Sequence, residues 1–328
     1  MGLRTTLTEQ LGTEHPILLA PMDVVADARL ALAVIDAGGY GFLGGGYGEE
    51  AWLRRELALL APAARERGKG FGVGFITWSL ARQPELLDLA LEQRPSAVWL
   101  SFGDAAPFAA RIKAAGACLV CQVQTEAMAH EALAAGAGVL VAEGAEAGGH
   151  GVSRGTLALV PAVVDAAAGR VPVVAAGGIA DGRGLAAALM LGAAGVALGT
   201  RFYATREAAG HDAAKRRIVE ASGDDSQRSV VFDISRNNVW PAPFTGRCLV
   251  NAHLQRWAGR ELELLRTLGT EHPKYLEARA AADFDTAAVI AGEAAGLIHD
   301  VPTAGEVVER MVREATAVMR ERAAALVG

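Results

Sequence analysis

Residues 171–202 read VPVVAAGGIADGRGLAAALMLGAAGVALGTRF. In this stretch an apolar run, Val171–Gly177, precedes an Ala- and Leu-rich segment with helical spacing, Gly182–Leu191, and a second apolar run, Gly195–Phe202. Short apolar runs bounded by glycine are typical of strands that are buried on both faces, as in a parallel sheet. The stretch therefore predicts a βαβ unit.

Six similar apolar runs precede this unit. They are Pro16–Met22, Tyr40–Gly45, Gly70–Ile76, Ala97–Gly103, Cys118–Thr125 and Gly138–Gly144. Segments with helical spacing lie between successive runs, at Arg29–Ala37, Pro84–Glu92, Glu126–Ala135 and Leu157–Ala168, and glycines at C-cap positions are Gly38, Gly136 and Gly192. The runs start every 20 to 33 residues, which is the length of one βα unit. Eight such units predict a (β/α)8 TIM barrel rather than a doubly wound sheet, which usually has about five or six strands.

The pattern changes after residue 205. Residues 1–205 are predicted to form the barrel, and residues 206–300, here called the inserted segment, a mainly helical subdomain near the C-terminus. Residues 301–328 are predicted to return to the barrel, with Thr303–Val327 as one long amphipathic helix. Because barrel active sites are built from loops at the C-terminal face, the inserted segment is expected to be a lid or substrate-binding subdomain there.

The composition excludes several classes of protein. The chain has 328 residues, 52% of them hydrophobic, and a net charge of −6, whereas a nucleic-acid binder needs a basic face. Its three cysteines cannot form a disulfide framework and fit a reducing compartment. No apolar run is long enough and free enough of charge and glycine to predict a membrane span. We therefore expect a cytoplasmic protein.

Two glycine turns follow the last two predicted strands. The first contains Gly177 and Gly178, and the second contains Gly199 and Thr200. In barrels, the loops after strands seven and eight commonly bind phosphate through backbone N–H groups, and glycine lets the backbone approach the anion closely. Two such turns in this order predict a phosphate site. The alternatives are plain tight turns in an alanine-rich barrel and a barrel without a redox cofactor that binds a phosphorylated metabolite or catalyses a non-redox step.

His150 is the candidate for acid–base chemistry. It follows the sixth apolar run and lies among Gly148, Gly149 and Gly151, at the end of a strand where barrel enzymes place catalytic groups. Imidazole can act as a base or a hydrogen-bond donor near neutral pH. Among the other histidines only His253, in the inserted segment, is a minor candidate.

Cys118 and Cys121 have the spacing of a metal or redox pair. Both lie in a predicted strand, however, and residues three apart in a strand point to opposite faces. They are therefore predicted to be packing residues, and no metal site is predicted.

With these residues in place, the chain resembles the nitronate monooxygenase family, formerly called 2-nitropropane dioxygenases. The resemblance covers about the first 205 residues and is carried by Ala20-Pro21-Met22, by Glu143–Gly151, by Val173–Gly184 and by Gly199–Phe202. Trp240-Pro241 and Arg247 resemble the family's second domain less specifically.

The resemblance implies FMN bound non-covalently at the mouth of the barrel. It places the isoalloxazine against Ala20, Pro21 and Met22, with its polar edge near Gln122 and Glu143. Gly74, after the third strand, also belongs to the cofactor site. The ribityl or phosphate arm is placed near Gly148 and Gly149, and the phosphate near Ala176, Gly177, Gly178, Ala197, Leu198, Gly199 and Thr200.

The resemblance also implies a reaction. His150 matches the histidine proposed to abstract the α-proton of a neutral nitroalkane, and the nitronate then reacts with O2 to give a carbonyl compound and nitrite. Many members have Gln where this chain has Glu143 and Asn where it has Gly74. Because flavin-dependent enoyl-acyl-carrier-protein reductases share the Glu-Ala-Gly-Gly-His run, the alternative is an NAD(P)H-dependent FMN reductase acting on a quinone or an enoyl thioester.

The substrate itself is left open. Four aromatic residues are candidates to face it, which predicts a mostly hydrophobic pocket: Trp78, Phe102, Trp240 and Phe244. The oligomeric state is also open, because the helix at Thr303–Val327 can pack either on the barrel or in a homodimer.

Overall fold

The computed structural model of the protein describes residues 2–327. Over that range the strands are β1 (Ile17–Leu19), β2 (Phe42–Gly44), β3 (Gly72–Ile76), β4 (Ala97–Ser101), β5 (Cys118–Val123), β6 (Val139–Glu143), β7 (Gly149–Gly151), β8 (Val173–Ala176), β9 (Gly195–Leu198), β10 (Ser226–Ser229) and β11 (Thr245–Leu249). Each of the eight predicted apolar runs contains one of these strands. Strands β7, β10 and β11 were not predicted.

The eight predicted strands form one parallel sheet that curves into a barrel. Their order of neighbours is β1-β9-β8-β6-β5-β4-β3-β2. A parallel bridge between Leu18 and Tyr40 brings the first and last strands of this order together. The predicted (β/α)8 TIM barrel is confirmed.

The helices alternate with the barrel strands and then fill the rest of the chain. They are α1 (Thr6–Leu11), α2 (Ala28–Asp36), α3 (Glu50–Glu66), α4 (Thr77–Leu80), α5 (Glu85–Glu92), α6 (Ala106–Ala114), α7 (Glu126–Ala134), α8 (Thr156–Ala167), α9 (Gly182–Met190), α10 (Thr200–Tyr203), α11 (Asp212–Glu220), α12 (Val231–Ser235), α13 (Ala252–Trp257), α14 (Glu261–Arg266), α15 (Leu268–Ala280), α16 (Ala304–Ala317) and α17 (Ala323–Val327). Gly38, Gly136 and Gly192, which follow α2, α7 and α9, have the positive φ of helix C-caps. Within residues 2–327 no helix is both long and apolar enough to cross a membrane.

The alternation of side chains along the strands divides the barrel core into two parts. An inner part fills the barrel and includes Leu18, Phe42, Trp99 and Val120, with Leu7 of α1 packed against it. An outer part packs the strands against the helices and includes Ile17, Leu43, Leu100 and Leu140. Cys118 packs with the inner part and Cys121 with the outer part, so the two thiols do lie on opposite faces of β5.

The inserted segment contains an antiparallel pair of strands as well as helices. Strand β11 pairs antiparallel with β10 and with β7, which lies in the loop after β6. The sequences of β10 (SQRS) and β11 (TGRCL) lack an apolar alternation, so no strand is predicted there. The pairing instead depends on contact with the barrel loop, and it joins the inserted segment directly to the residues around His150.

The C-terminal helix differs in one respect from the prediction. Helix α16 begins at a capping box in which Thr303 and Glu306 bond each other's backbone N–H groups, and it packs on α9 and α2. Residues 318–322 form a π-helical turn before α17. Buried positions recur through α16 up to Ala315, whereas the π-helical turn has none, and its Val318 and Met319 pack on the outer part of the core while only partly buried.

Candidate active site

A cavity of about 430 Å³ lies at the carboxyl ends of the barrel strands, beneath the inserted segment. This volume is within the range of small-molecule and cofactor sites. Its walls include His150 and fourteen of the residues expected to bind the cofactor: Ala20, Pro21, Met22, Gly74, Gln122, Glu143, Gly148, Gly149, Ala176, Gly177, Gly178, Ala197, Gly199 and Thr200. Leu198 is different, because it alternates with Ala197 on β9 and its side chain packs outward in the core between strands and helices.

The two glycine turns meet at one end of the cavity. Gly177 and Gly178 have φ values of 97° and 73°, a left-handed conformation that favours glycine. Within residues 2–327 their N–H groups have no hydrogen-bond acceptor. After the neighbouring strand β9, at the start of α10, Thr200 accepts a hydrogen bond at its Oγ1 from the N–H of Gly292 in the inserted segment, at 3.0 Å. Successive unpaired N–H groups in such a turn can bind an anion, as the sequence predicted for a phosphate.

Glu143 lies on the cavity floor at the end of β6. Its Oε2 accepts hydrogen bonds from the side-chain amides of Gln122, at 2.7 Å, and of Gln124. Burial raises the pKa of Glu143 to about 8, although the Gln124 hydrogen bond and the charge of Arg228 oppose the shift. Near neutral pH the carboxyl group is therefore mostly protonated, and it can donate a hydrogen bond as well as accept one. Sequence reasoning missed Gln124, which is buried two residues beyond Gln122.

His150 is on β7 and is buried, with 7% of its surface exposed. Its Nε2 lies 3.0 Å from both carboxylate oxygens of Asp233, which is on α12 and is 3% exposed. One face of its ring stacks on Trp240, with the ring centroids 3.4 Å apart and the planes 5° apart. Burial lowers the pKa of His150 against the opposing effect of the Asp233 hydrogen bond, so the imidazole is neutral near pH 7.

Asp233 itself forms an ion pair with Arg236, at 2.6 Å. Neither residue was a sequence candidate. Asp233 lies 83 positions from His150, and nothing in the sequence around it indicates a partner for a histidine. It lies on α12, between the two strands of the small sheet that β10 and β11 form with β7.

An aromatic wall forms one side of the cavity. The rings of Phe102 and Trp240 line it, with centroids 5.0 Å apart, and Trp78 and Phe244 pack behind them. All four residues expected near the substrate are thus in one cluster, but only two of them face the cavity. Sequence reasoning missed Tyr47, whose hydroxyl accepts a hydrogen bond from Trp240 Nε1 at 2.9 Å.

Two arginines of the inserted segment hold the loop that carries His150. Arg228 donates to the carbonyl groups of Ala145 and Ala147, at 2.9 and 3.3 Å, and Arg247 also donates to Ala145. The minor candidate His253 lies elsewhere: it is buried, bonds Ser235 Oγ through Nε2 at 2.7 Å and does not line the cavity. His150 is thus the predicted histidine that the fold brings to the cavity.

Relatives with named activities cover nearly the whole chain. The chain is 37% identical to nitronate monooxygenase npaC of Metarhizium robertsii over 94% of this chain and 93% of that protein. It is 32% identical to the (3aS,4S,5R,7aS)-5-hydroxy-7a-methyl-1-oxo-octahydro-1H-indene-4-carboxyl-CoA dehydrogenase of Mycobacterium tuberculosis over 96% and 97% of the two chains.

Solved structures agree with these sequence relatives. FabK from Thermotoga maritima superposes with a TM-score of 0.86 at 30% identity, covering 99% of this chain and all of that chain. The nitroalkane oxidase from Streptomyces ansochromogenes superposes with a TM-score of 0.79 at 27% identity, covering 96% and 99% of the two chains.

The family model of nitronate monooxygenase matches residues 77–314, which include β4 to β9, the inserted segment and most of α16. The match contains Glu143, His150, both glycine turns and the residues that surround His150 in the structure. The chain belongs to the nitronate monooxygenase family of oxidoreductases.

Proposed function

We propose that the protein is an FMN-dependent oxidase of alkyl nitronates and neutral nitroalkanes, with His150 as the general base. The reaction consumes O2 and gives a carbonyl compound and nitrite. The observation that carries the proposal is a neutral, buried imidazole held in the cavity between an aspartate and a tryptophan ring. Similarity to proteins named nitronate monooxygenase and nitroalkane oxidase supports the same reaction.

The residues around the cavity fit FMN. The unpaired N–H groups of Gly177 and Gly178, together with Gly199 and Thr200, would hold its phosphate. The apolar stretch Ala20–Met22 would lie along the ring system. When bound, FMN would accept the electrons that leave the substrate.

Glu143 would face the polar edge of the flavin ring from the cavity floor. Because its carboxyl group is mostly protonated at neutral pH, it can present a hydrogen-bond donor to a ring acceptor atom without adding a negative charge. Gln122 and Gln124 hold the other carboxyl oxygen, so the donor is fixed in direction.

His150 would remove the α-proton of a neutral nitroalkane. A neutral imidazole is the form that can accept a proton, and the nearby Asp233 carboxylate stabilises the positive charge that develops on the ring. A preformed nitronate has already lost this proton, so its oxidation does not need the base.

The inserted segment would act as the lid and the substrate-binding part of the site. It contributes Trp240, Asp233 and Arg236 around His150, and Gly292 beside Thr200 of the second glycine turn. Trp240 would shield the base from water and give the substrate an apolar surface.

A second candidate is oxidation or reduction of a carbon–carbon bond next to a thioester, with NAD(P)H as the donor in the reductive direction. The similarity to a carboxyl-CoA dehydrogenase over 96% of the chain favours it. The α-hydrogen of a thioester is also acidic, so the same histidine base would serve it. A quinone as the electron acceptor belongs to the same alternative.

Anaerobic mixing separates the candidates. We expect the FMN-loaded protein to lose its yellow colour with propyl nitronate and with nitropropane, and to release nitrite when O2 is admitted. Bleaching at catalytic rates by NADH or NADPH, or by an acyl-CoA, without bleaching by the nitronate would contradict the proposal. A protein that stays colourless after FMN supplementation would contradict the cofactor assignment.

Substitution of the base tests its role. His150→Ala should keep FMN, lose about 100-fold or more in rate on neutral nitroalkanes and change much less on preformed nitronates. His253→Ala is the matched control, since that histidine is equally buried but lies outside the cavity. Equal loss on both substrates in His150→Ala would assign His150 a binding or structural role instead.

A further inference from the structure

The contacts of His150 distinguish its two ring nitrogens. Nε2 faces the carboxylate of Asp233, with both oxygens 3.0 Å away. Nδ1 makes no hydrogen bond with any residue in the described range 2–327, although the His150 side chain lines the cavity. The two nitrogens therefore have different surroundings, one an ionic partner and the other the cavity.

A carboxylate has only acceptor sites, so a neutral imidazole can bond Asp233 only if Nε2 carries the proton. The lone pair is then on Nδ1. We propose that Asp233 is a positioning residue that fixes this tautomer, so that Nδ1 is the atom that takes the substrate's α-proton. The base role rests on the proposed function, whereas the tautomer does not.

Two neighbours of Asp233 support this assignment. Arg236 donates to Asp233 Oδ1 at 2.6 Å, a charge-assisted hydrogen bond that fixes the direction of the carboxylate. Trp240 stacks on the imidazole at 3.4 Å, so the ring cannot turn about its Cβ–Cγ bond, which would put Cε1 in the place of Nε2 beside Asp233, without displacing the indole. The tautomer and the ring orientation are thus set by separate contacts.

The charges around His150 also suit a base that is protonated only transiently during the reaction. Asp233 favours the imidazolium, while Arg236 and Arg228, the cations packed nearby, oppose it. Tyr47, which contacts Trp240, is neutral because burial raises its pKa to about 12. Removing the Asp233 charge leaves only the opposing charges, so proton abstraction becomes slower and the pKa of His150 falls further.

Nuclear magnetic resonance of the ¹⁵N-labelled, FMN-loaded full chain tests the tautomer directly. Long-range proton–nitrogen spectra of the histidine rings, with His150 identified through His150→Gln, should show Nε2 protonated and Nδ1 unprotonated at neutral pH. A proton on Nδ1, or on both nitrogens, overturns the inference without any variant of Asp233.

Asp233→Asn should populate the Nδ1-protonated tautomer, because an amide can donate to Nε2, and should lower the midpoint of the His150 titration. Ser235→Ala is the matched control on the same helix. It removes the Ser235 hydroxyl from His253 Nε2, so it should shift the His253 signals and leave those of His150 unchanged. Unchanged His150 signals in Asp233→Asn also overturn the inference.

Kinetics then separate positioning from a purely structural role. Asp233→Asn should slow the oxidation of a neutral nitroalkane about 100-fold and that of its preformed nitronate less than about 3-fold. Equal slowing of both substrates overturns the positioning role. If the wild type oxidises neither substrate but its spectra show the Nε2-protonated tautomer, the proposed function fails while the tautomer assignment stands.

Discussion

The two ends of the cavity are built in different ways. The end proposed to hold the phosphate, here called the phosphate end, is made of backbone: Gly177, Gly178, Gly199 and Thr200 lie in turns that follow two neighbouring strands. The end proposed to transfer the proton, here called the proton-transfer end, is made of side chains: His150, Asp233 and Trp240 come from segments up to 90 residues apart and are brought together by a small antiparallel sheet.

The two ends should therefore respond to different kinds of substitution. A site made of N–H groups is damaged by adding atoms, since a new side chain would occupy the space and the conformation that it needs. A site made of side chains is damaged by removing them. If each end performs only its own task, additions at the first should affect cofactor binding and deletions at the second should affect chemistry.

The largest expected effect is at the phosphate end. A Cβ added to Gly177 would lie 3.0 Å from the Gly144 carbonyl oxygen and 3.1 Å from the Ala147 nitrogen, in a left-handed conformation that valine disfavours. Gly177→Val should therefore weaken FMN binding on the order of 100-fold, as measured by fluorescence titration of the flavin.

Gly169→Val is the control for that variant. Gly169 also has a positive φ, of 71°, but an added Cβ would meet nothing within 4 Å, and the residue does not line the cavity. Both substitutions place a valine at a positive φ and carry the cost of that backbone conformation, but only Gly177→Val should weaken FMN binding. If the two variants bound FMN with equal affinity, the turn at Gly177 would not be the phosphate site.

For the same reason, the sequence located more of the residues that line the cavity at the phosphate end than at the proton-transfer end. Each βα unit is a local pattern, so the eight strands and the glycines that follow β8 and β9 could be located by periodicity alone. His150 was found because it lies among glycines after β6. Asp233 and Gln124 were missed because their roles depend on contacts between distant segments.

Leu198 shows the reverse case, a residue that the motif includes but whose side chain the strand register turns away. It lies next to the glycine turn in sequence, yet its side chain packs outward, away from the cavity. Position in a motif gives the neighbourhood of a residue, whereas the strand register decides which way its side chain points.

Glu143 lies between the two ends and gives the next largest effect. Its pKa is raised by burial to about 8, so the folded state favours the protonated form. Relative to the unfolded chain, the stability that Glu143 contributes is present in full below the carboxyl's ordinary pKa and is lost as the pH rises through about 8.

Glu143→Gln removes this titration while keeping an oxygen for Gln122 and Gln124. Between pH 5 and pH 9 the FMN-free wild type should therefore lose on the order of 2 kcal/mol of unfolding free energy relative to the variant, less than the full shift implies because water in the cavity screens the charge. Denaturant unfolding at several pH values measures this. Glu92→Gln, at an exposed carboxylate, is the control, and its unfolding free energy should vary with pH as that of the wild type does. If the unfolding free energy of Glu143→Gln also followed the wild type, Glu143 would not titrate in this range.

The smallest effect expected is at Trp240, and it tests whether the two ends are separable. Trp240→Leu removes the ring stacked on His150 and should lower the turnover of neutral nitroalkanes about 10-fold, because the imidazole loses one of the contacts that orient it. Trp240→Phe keeps an aromatic face but loses the N–H donated to Tyr47, so its loss of turnover should be smaller.

Steady-state kinetics and FMN titration are measured on the same preparations. If Trp240→Leu lost FMN as strongly as Gly177→Val, the side-chain end would also be holding the cofactor, and the two regions could not be assigned separate tasks.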